Sequence, residues 1–299
     1  MAGRSNVNFP SSSSMPFIVD TKNPAAVAGF VRRIYSELFP GASRTWINQV
    51  FADIETFFTG RHPAYAPIDL RYHDLEHTLQ ATVCLVELLA GRHHAGVEPR
   101  ASARQFELTI VAVLLHDTGY LKLRSDTTGT GAKYTFCHVL RSCAFAASYL
   151  PSLKATPVEI ESVIGAINCT GPSSEIGRLY FREPVDRVLG CALATADYLG
   201  QLAAPDYPDK LEMLFAEFAE SDAYVNLPED TRVFKSARHL AEQTPLFWER
   251  FVRPRLDGDF RGGYRFLASP YPHGSNAYIA AAERNIAVVR QRLATATTA

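Results

Sequence analysis

Apolar residues recur at intervals of three and four along almost the whole chain, and no segment alternates convincingly between apolar and polar residues. The first two runs, over residues 27–38 and 47–58, each predict an amphipathic helix. Two later segments, 108–115 and 188–199, are apolar on nearly every face, which is typical of central helices that other helices surround. The spacing therefore predicts an all-α protein built around one core.

Polar residues that precede prolines mark several predicted helix starts. Each pair joins a capping side chain to a proline suited to the first helical position, and the pairs are Asn23–Pro24, Thr156–Pro157 and Thr244–Pro245. The apolar spacing predicts further helices at residues 73–90, 103–117, 135–149, 157–168, 185–202, 208–221, 231–252 and 275–294.

The first 22 residues differ in composition from the rest of the chain. They are polar and include a run of serines over residues 11–14. Such a segment buries too little apolar surface to order itself, which predicts a flexible leader over residues 1–22. No later change in composition separates a second domain, so residues 23–299 are predicted to form a single large helical domain.

The charge balance and the cysteine pattern exclude several classes of function. A net charge of -1 provides no general basic field that would attract nucleic acid. The sequence contains no apolar run of the roughly 18 residues that a membrane span needs, and its N-terminus lacks a secretory pattern. The five cysteines are spaced too irregularly for a disulfide framework or a CxxC zinc site. These features predict a cytoplasmic protein with no nucleic-acid or membrane partner.

Two histidines stand four residues apart at the start of the helix predicted over residues 73–90. On a helix from residue 73, His73 and His77 would share one face. A solvated polar helix start explains the same spacing equally well. The choice between a site and a solvated turn therefore depends on ligand-type side chains elsewhere in the chain.

Two carboxylates lie in unusually apolar parts of the sequence. Asp117 follows His116 at the end of the run over 108–115, and Asp197 is the only acid within residues 188–199. An ionised carboxylate in apolar surroundings costs several kcal/mol unless it is paired or bound to a metal, and a salt-bridged core acid is the alternative for Asp197. Histidines and carboxylates together suit Zn, Mn, Fe or Mg, and the lack of thiolates argues against a purely structural zinc.

The order of these residues resembles that of the HD-domain metal-dependent phosphohydrolases. The chain contains Tyr72-His73-Asp74-x-x-His77, then His116-Asp117, then Asp197. The tyrosine-led first motif is similar to the YHNxxH signature of the class I cyclic-nucleotide phosphodiesterases. The resemblance covers roughly residues 70–202, and it implies an HD-type helical bundle with its core at 70–202 and a C-terminal helical extension at 203–299.

The resemblance also implies a site for two divalent metal ions, with Zn, Mn, Mg and Fe as candidates. His77, His116, Asp117 and Asp197 would bind the first ion, and Asp117 would bridge to the second. His73 would be the general acid, which makes His73 and Asp117 the implied catalytic residues. The implied reaction is hydrolysis of a nucleotide-like phosphoester, foremost a cyclic-nucleotide phosphodiester, by attack of a metal-bound hydroxide.

Three alternative functions stay open from the sequence. The first is a nucleotide phosphomonoesterase, which would also take a small-molecule phosphoester as its partner. The second is a diiron oxygenase on the same scaffold, and the third is a non-catalytic helical module that holds a metal as a staple. Nothing in the sequence predicts the oligomeric state.

Three further residues are candidates for contact with a second metal ion or with phosphate. His138 has three interpretations, which are a metal ligand, a phosphate contact and a core hydrogen bond. Lys122 and Arg141 carry cationic groups suited to phosphate, although solvated surface charges are the commoner case.

Overall fold

The computed structural model of the protein describes residues 16–295. Its helices are α1 Pro24–Leu38, α2 Thr45–Phe58, α3 Leu75–Ala95, α4 Ala103–Leu115, α5 His138–Tyr149, α6 Pro157–Ile167, α7 Pro184–Leu202, α8 Tyr207–Tyr224, α9 Ala237–Phe247, α10 Arg253–Asp257 and α11 Ala277–Thr295. Two short antiparallel strands, β1 Ala268–Ser269 and β2 Ser275–Asn276, pair within the loop before α11. With 66% helix and 2% strand, the all-α prediction is confirmed.

Side-chain caps fix where several helices begin. The Asn23 side-chain oxygen accepts hydrogen bonds from two backbone N–H groups of the first turn of α1. Thr156 and Glu159 form a reciprocal capping box at the start of α6. Asp74 Oδ1 accepts from the His77 backbone N–H at 2.9 Å, so α3 begins at Leu75. The helix therefore starts two residues after the predicted residue 73, within the roughly two to four residues to which such boundaries are predicted.

The predicted helix start at Thr244–Pro245 is wrong. Pro245 lies inside α9, whose first turn is instead capped by Ser236, which accepts from the His239 N–H at 3.0 Å. The Thr244 hydroxyl donates to the Leu240 carbonyl one turn earlier, as a threonine inside a helix can do. A π-helical turn over Trp248–Val252 follows the proline and leads into α10.

Helices α3 and α7 form the centre of the molecule, and α4 packs against both. Gly200 of α7 lets the two backbones approach, since a Cβ at this position would lie 2.9 Å from the Ala81 backbone nitrogen in α3. The main hydrophobic cluster runs from Val27 in α1 to Val289 in α11. The C-terminal extension therefore shares the core of the other helices, and the described residues form one domain.

The N-terminal boundary of the packed chain lies earlier than the sequence predicts. Residues 1–15 of the predicted leader lie outside the described residues, but residues 16–22 contact the domain. Phe17 packs edge-on against Tyr278 of α11, with ring centroids 5.3 Å apart. Thr21 is buried, and its hydroxyl donates to Glu76 at 3.5 Å. The contact with α11 is made by the apolar ring of Phe17.

Among residues 16–295, we find no helix whose length and apolarity would allow it to cross a membrane.

A carboxylate in α3 predicts a measurable pH dependence of stability. Glu87 Oε1 is enclosed without a hydrogen-bond partner, and burial raises the pKa of Glu87 from 4.5 to about 7, although the nearby Tyr278 hydroxyl partly lowers it. Between these two pH values the folded chain keeps a proton that the unfolded chain releases. The free energy of unfolding therefore falls by about 3 kcal/mol as the pH rises through this window.

We expect Glu87→Gln to remove this decline, measured as urea unfolding at several values between pH 4.5 and 8. The exposed Glu175→Gln serves as the matched control, because the Glu175 carboxylate is exposed and pairs with the exposed Arg178 at 2.7 Å. A Glu87→Gln variant whose stability still falls in parallel with the wild type would contradict this assignment.

Candidate metal centre

Four ligand-type side chains reach one point from three helical elements. His77 lies in the first turn of α3, His116 and Asp117 directly follow α4, and Asp197 lies in α7. Their exposed fractions are 3%, 1%, 2% and 8%, so all four are buried. The close packing of α3 on α7 and α4 brings these elements together.

The ligand atoms stand at the separations expected around one ion. His77 Nε2 lies 3.2 Å from Asp197 Oδ1 and 3.4 Å from Asp117 Oδ2. His116 Nε2 lies 3.6 Å and 3.3 Å from the same two oxygens. Ligands about 2.1 Å from a shared cation are roughly 3.0 to 3.4 Å apart in octahedral or tetrahedral geometry. These four histidine–carboxylate separations thus match the edges of a coordination polyhedron within a few tenths of an ångström.

The hydrogen bonds of His116 leave two buried acceptors facing each other. His116 Nδ1 is 2.7 Å from the Val113 carbonyl, which can only accept, so Nδ1 carries the proton and Nε2 is the atom that presents a lone pair when the ring is neutral. Neither His116 Nε2 nor Asp117 Oδ2 has a hydrogen-bond partner. Two facing buried acceptors are unfavourable, and a cation between them removes that cost. The cluster of His77, His116 and Asp117 can therefore hold a metal ion.

The titration behaviour of the cluster reflects the same charge pattern. Burial alone would lower the pKa of His77, but the facing carboxylates of Asp117 and Asp197 raise it to about 10. Burial alone would raise the pKa of each carboxyl, but the facing imidazoles hold both below their usual range. The two carboxylates therefore favour a positive charge at this point, which a proton on His77 or a metal ion can supply.

His138 stands on the other side of Asp117. Its Nε2 lies 3.9 Å from Asp117 Oδ1, whereas His77 and His116 contact Oδ2. The His138 Nδ1 donates to the Thr135 carbonyl at 2.7 Å, and burial lowers its pKa, so its Nε2 is an unprotonated acceptor. Oδ2 of Asp117 thus faces His77 and His116, and Oδ1 faces His138.

Gly119 is required for this placement of His138. A Cβ at Gly119 would lie 1.9 Å from the His138 carbonyl oxygen, and the Gly119 N–H donates to Ser142 Oγ of α5 at 2.8 Å. Any side chain here would push α5 away from Asp117.

We expect Gly119→Ala to lower the free energy of unfolding by about 1 to 3 kcal/mol, because the methyl group overpacks a buried contact. Chemical denaturation followed by circular dichroism measures this loss. Gly177→Ala is the matched control, because nothing lies within 4 Å of a Cβ at Gly177 and its φ is not positive. Equal stability of the two variants would contradict the close contact.

His73 lies in the loop before α3 and not on its first turn, which corrects the prediction of a shared helical face. Its ring is nevertheless 5.6 Å from that of His77, centroid to centroid. The His73 Nδ1 is 2.6 Å from Glu217 Oε2 in α8. The other carboxylate oxygen of Glu217 accepts from the backbone N–H groups of Arg71 and Tyr72 at 3.1 and 2.7 Å. Glu217 therefore fixes both the loop and the imidazole.

Sequence reasoning did not find Glu217. The available signal is a glutamate three residues after Leu214 and four before Ser221, on the helical stripe that also carries Leu211. The structure buries Glu217, with 6% of its surface exposed. A buried glutamate on an apolar stripe calls for a partner, but its sequence position does not identify His73 as that partner.

Lys122 and Arg141 use their cationic groups within the protein. Lys122 Nζ contacts Asp69 Oδ2 at 3.0 Å and also donates to the Gly129 carbonyl. Arg141 donates to the Gly119 and Leu121 carbonyls at 2.6 and 2.9 Å. These contacts hold the segment between α4 and α5 by its backbone, which argues against the predicted phosphate contacts.

No protein-family model matches this chain, and no match was found among curated proteins. The resemblance to the HD-domain phosphohydrolases therefore stays a prediction, and the geometry of the site carries the functional argument.

Proposed function

We propose that this protein is a metal-dependent phosphohydrolase of the HD type that acts on a nucleotide-like phosphodiester. One observation carries the proposal. The Nε2 atoms of His77 and His116 each lie 3.2 to 3.6 Å from carboxylate oxygens of Asp117 and Asp197, and His116 Nε2 and Asp117 Oδ2 have no hydrogen bonds. The five free cysteines are consistent with a cytoplasmic location.

The residues divide into two proposed metal positions. His77, His116, Asp117 and Asp197 would hold the first divalent ion, and Asp117 Oδ1 with His138 would contribute to a second. When bound, such ions activate water and neutralise phosphoryl charge. His116 is already oriented for binding, because its Nδ1 donates to the Val113 carbonyl and its Nε2 is left as the ligand atom.

His73 is the proposed proton donor to the leaving oxygen. Its Nδ1 is engaged by Glu217 at 2.6 Å, which leaves Nε2 as the ring atom that can exchange a proton with a substrate. The Glu217 carboxylate fixes the orientation of the imidazole, so that its Nε2 edge keeps one direction. His73 is also partly accessible, with 15% of its side chain exposed.

Charge balance favours a diester over a monoester as substrate. Lys122 and Lys133, which lie between α4 and α5, and Arg141 of α5 have partners within the protein, and Lys210 of α8 contacts the carboxylate of Asp206 at 3.1 Å. The proposed metal ions would therefore carry most of the phosphate neutralisation. A phosphodiester brings one negative charge to such a site, whereas a monoester brings nearly two.

A panel of phosphoesters tests the proposal. Purified protein is loaded with Mn, Mg, Zn or Fe, analysed for metal content, and assayed with cyclic mononucleotides and nucleoside monophosphates. We expect stoichiometric metal and diester turnover without release of inorganic phosphate. Release of inorganic phosphate from monoesters alone would favour the phosphomonoesterase alternative, and bound metal without any turnover would favour the non-catalytic module.

The position of His138 next to Asp117 is the observation that favours the diiron oxygenase as a second candidate. It adds a third imidazole to the cluster at 3.9 Å from a carboxylate that already faces two others. Stoichiometric iron with oxygen uptake in the same preparation would support this candidate, whereas its absence alongside diester turnover would exclude it.

A further inference from the structure

Tyr120 lies beneath the two histidines that flank the metal ligands. It ends the short 3-10 turn Thr118–Tyr120 and is fully buried, with 0% of its surface exposed. Its ring stacks on His73 with centroids 4.7 Å apart and planes at 21°, and on His138 with centroids 4.6 Å apart and planes at 12°. One aromatic ring thus contacts both imidazoles nearly face to face.

The distances place both imidazoles on the same face of Tyr120. The His73 and His138 centroids are 6.3 Å apart. Two rings stacked on opposite faces would be separated by about 7 Å or more, since each stacked layer needs about 3.5 Å. The observed separation is shorter, so the two histidines lie side by side over a common aromatic floor formed by the Tyr120 ring.

Each histidine has one hydrogen bond at Nδ1 that anchors it in the ring plane. His73 is held by Glu217 at 2.6 Å and His138 by the Thr135 carbonyl at 2.7 Å. A single anchor leaves the ring free to swing about the axis through that atom. A flat surface under the ring removes this freedom, because offset stacking fixes the plane of the imidazole.

The tyrosine hydroxyl takes no visible part in this arrangement. Its oxygen is enclosed, and the side chain that interacts with it is that of Thr135 and not that of either histidine. The ring packs against Leu70 and Ala132, and the Tyr120 backbone lies so close to Gly131 that a Cβ there would be 2.3 Å from the Tyr120 carbonyl oxygen. The ring face is therefore the group that acts on the histidines.

We propose that Tyr120 is a positioning residue that sets the planes of His73 and His138 through its ring face. The inference rests on the proposed function for the roles of the two histidines, and the geometry of the floor stands apart from it. The flat ring directs the free Nε2 edge of each imidazole, one for proton donation and one toward Asp117.

Histidine side-chain NMR tests the floor without any substrate. In protein with labelled histidines, the ring protons of His73 and His138, assigned through His73→Ala and His138→Ala, should show upfield ring-current shifts. Tyr120→Phe should keep these shifts and Tyr120→Leu should lose them. His62, whose ring centroid lies 4.7 Å from that of Phe57 with the planes at 43°, is the internal control whose shift stays constant in both variants.

Turnover provides the second readout. We expect Tyr120→Phe to stay near the wild-type rate, and Tyr120→Leu to lower kcat on a cyclic mononucleotide by about 10- to 100-fold with KM nearly unchanged. If Tyr120→Leu does not fold, Tyr120→Met replaces it, because methionine also lacks a flat ring and fits irregular spaces.

The outcomes separate this inference from the proposed function. Unchanged histidine shifts and unchanged kcat in Tyr120→Leu would overturn the positioning role. Lost shifts in Tyr120→Leu, in a wild-type protein that hydrolyses no phosphoester, would uphold the aromatic floor and contradict the proposed function. Loss of activity in Tyr120→Phe would assign the effect to the hydroxyl and overturn the inference.

Discussion

Asp117→Asn is expected to lower divalent-metal affinity by at least about 100-fold, the upper end of the effect of losing a residue that only supports a ligand. Asp117 presents Oδ2 to His77 and His116 and Oδ1 to His138, so the substitution acts on both proposed metal positions. Asparagine keeps the shape but removes the negative charge, and one of its two terminal atoms becomes a donor. Metal analysis and calorimetric titration with Mn measure the loss.

Asp126→Asn is the matched control for this experiment. Asp126 lies outside the ligand cluster and accepts hydrogen bonds from Lys133 and Tyr134. We expect it to bind metal like the wild type, although it removes the same charge from the protein. Stoichiometric metal in Asp117→Asn at wild-type affinity would mean that these four side chains are a paired core network and not a metal site.

His73→Ala is expected to lower kcat on a cyclic mononucleotide by about 100- to 10,000-fold, while the metal content stays near that of the wild type. The reason is that His73 supplies the proposed proton to the leaving oxygen but is not one of the four ligands. Steady-state kinetics and metal analysis of the same sample give the two values, and the exposed His273→Ala serves as the matched control.

The leaving group makes this prediction specific to proton donation. A p-nitrophenyl phosphodiester has a stable phenolate leaving group that needs little protonation, whereas a sugar alkoxide needs a proton. The His73→Ala defect should therefore be much smaller on the aryl diester. An equal defect on both substrates would assign His73 a role in binding or structure and not in acid catalysis.

Much of the metal centre could be predicted because local sequence carries it. The end of an apolar helix places His116 and Asp117 in the core, and Asp197 interrupts an apolar segment. Each violates the expected pattern of its helix, which marks it as needing a partner. The structure brings these residues together with His77 at 3.2 to 3.6 Å.

The environment of His73 could not be predicted from the sequence. Its partner Glu217 is 144 residues away in the chain, and the stacking of Tyr120 under it depends on how the segment after α4 folds back. The spacing of residues within one helix predicts neither contact. The helix start was also misplaced, because the Asp74 carboxylate caps the helix and its first residue is therefore Leu75.

The charged side chains show a second limit of sequence reasoning. Lysine and arginine near a proposed phosphate site suit that anion by charge, but Lys122 and Arg141 are occupied by backbone carbonyls. The sequence does not show which backbone carbonyl will accept a hydrogen bond, because every residue carries a backbone carbonyl. The conformation of the segment between α4 and α5 determines which N–H donors of Lys122 and Arg141 are used within the protein.

Helix α8 links His73, the proposed proton donor, to a part of the chain that supplies none of the four candidate ligands. Its Glu217 contacts His73, and one turn later Glu220 accepts from the Thr130 hydroxyl at 2.6 Å. Under the proposed function, a substitution of Glu217 leaves all four candidate ligands in place and removes the partner of the His73 imidazole. Such a protein would bind the proposed ions and turn over little substrate, so metal content alone would not report an active preparation.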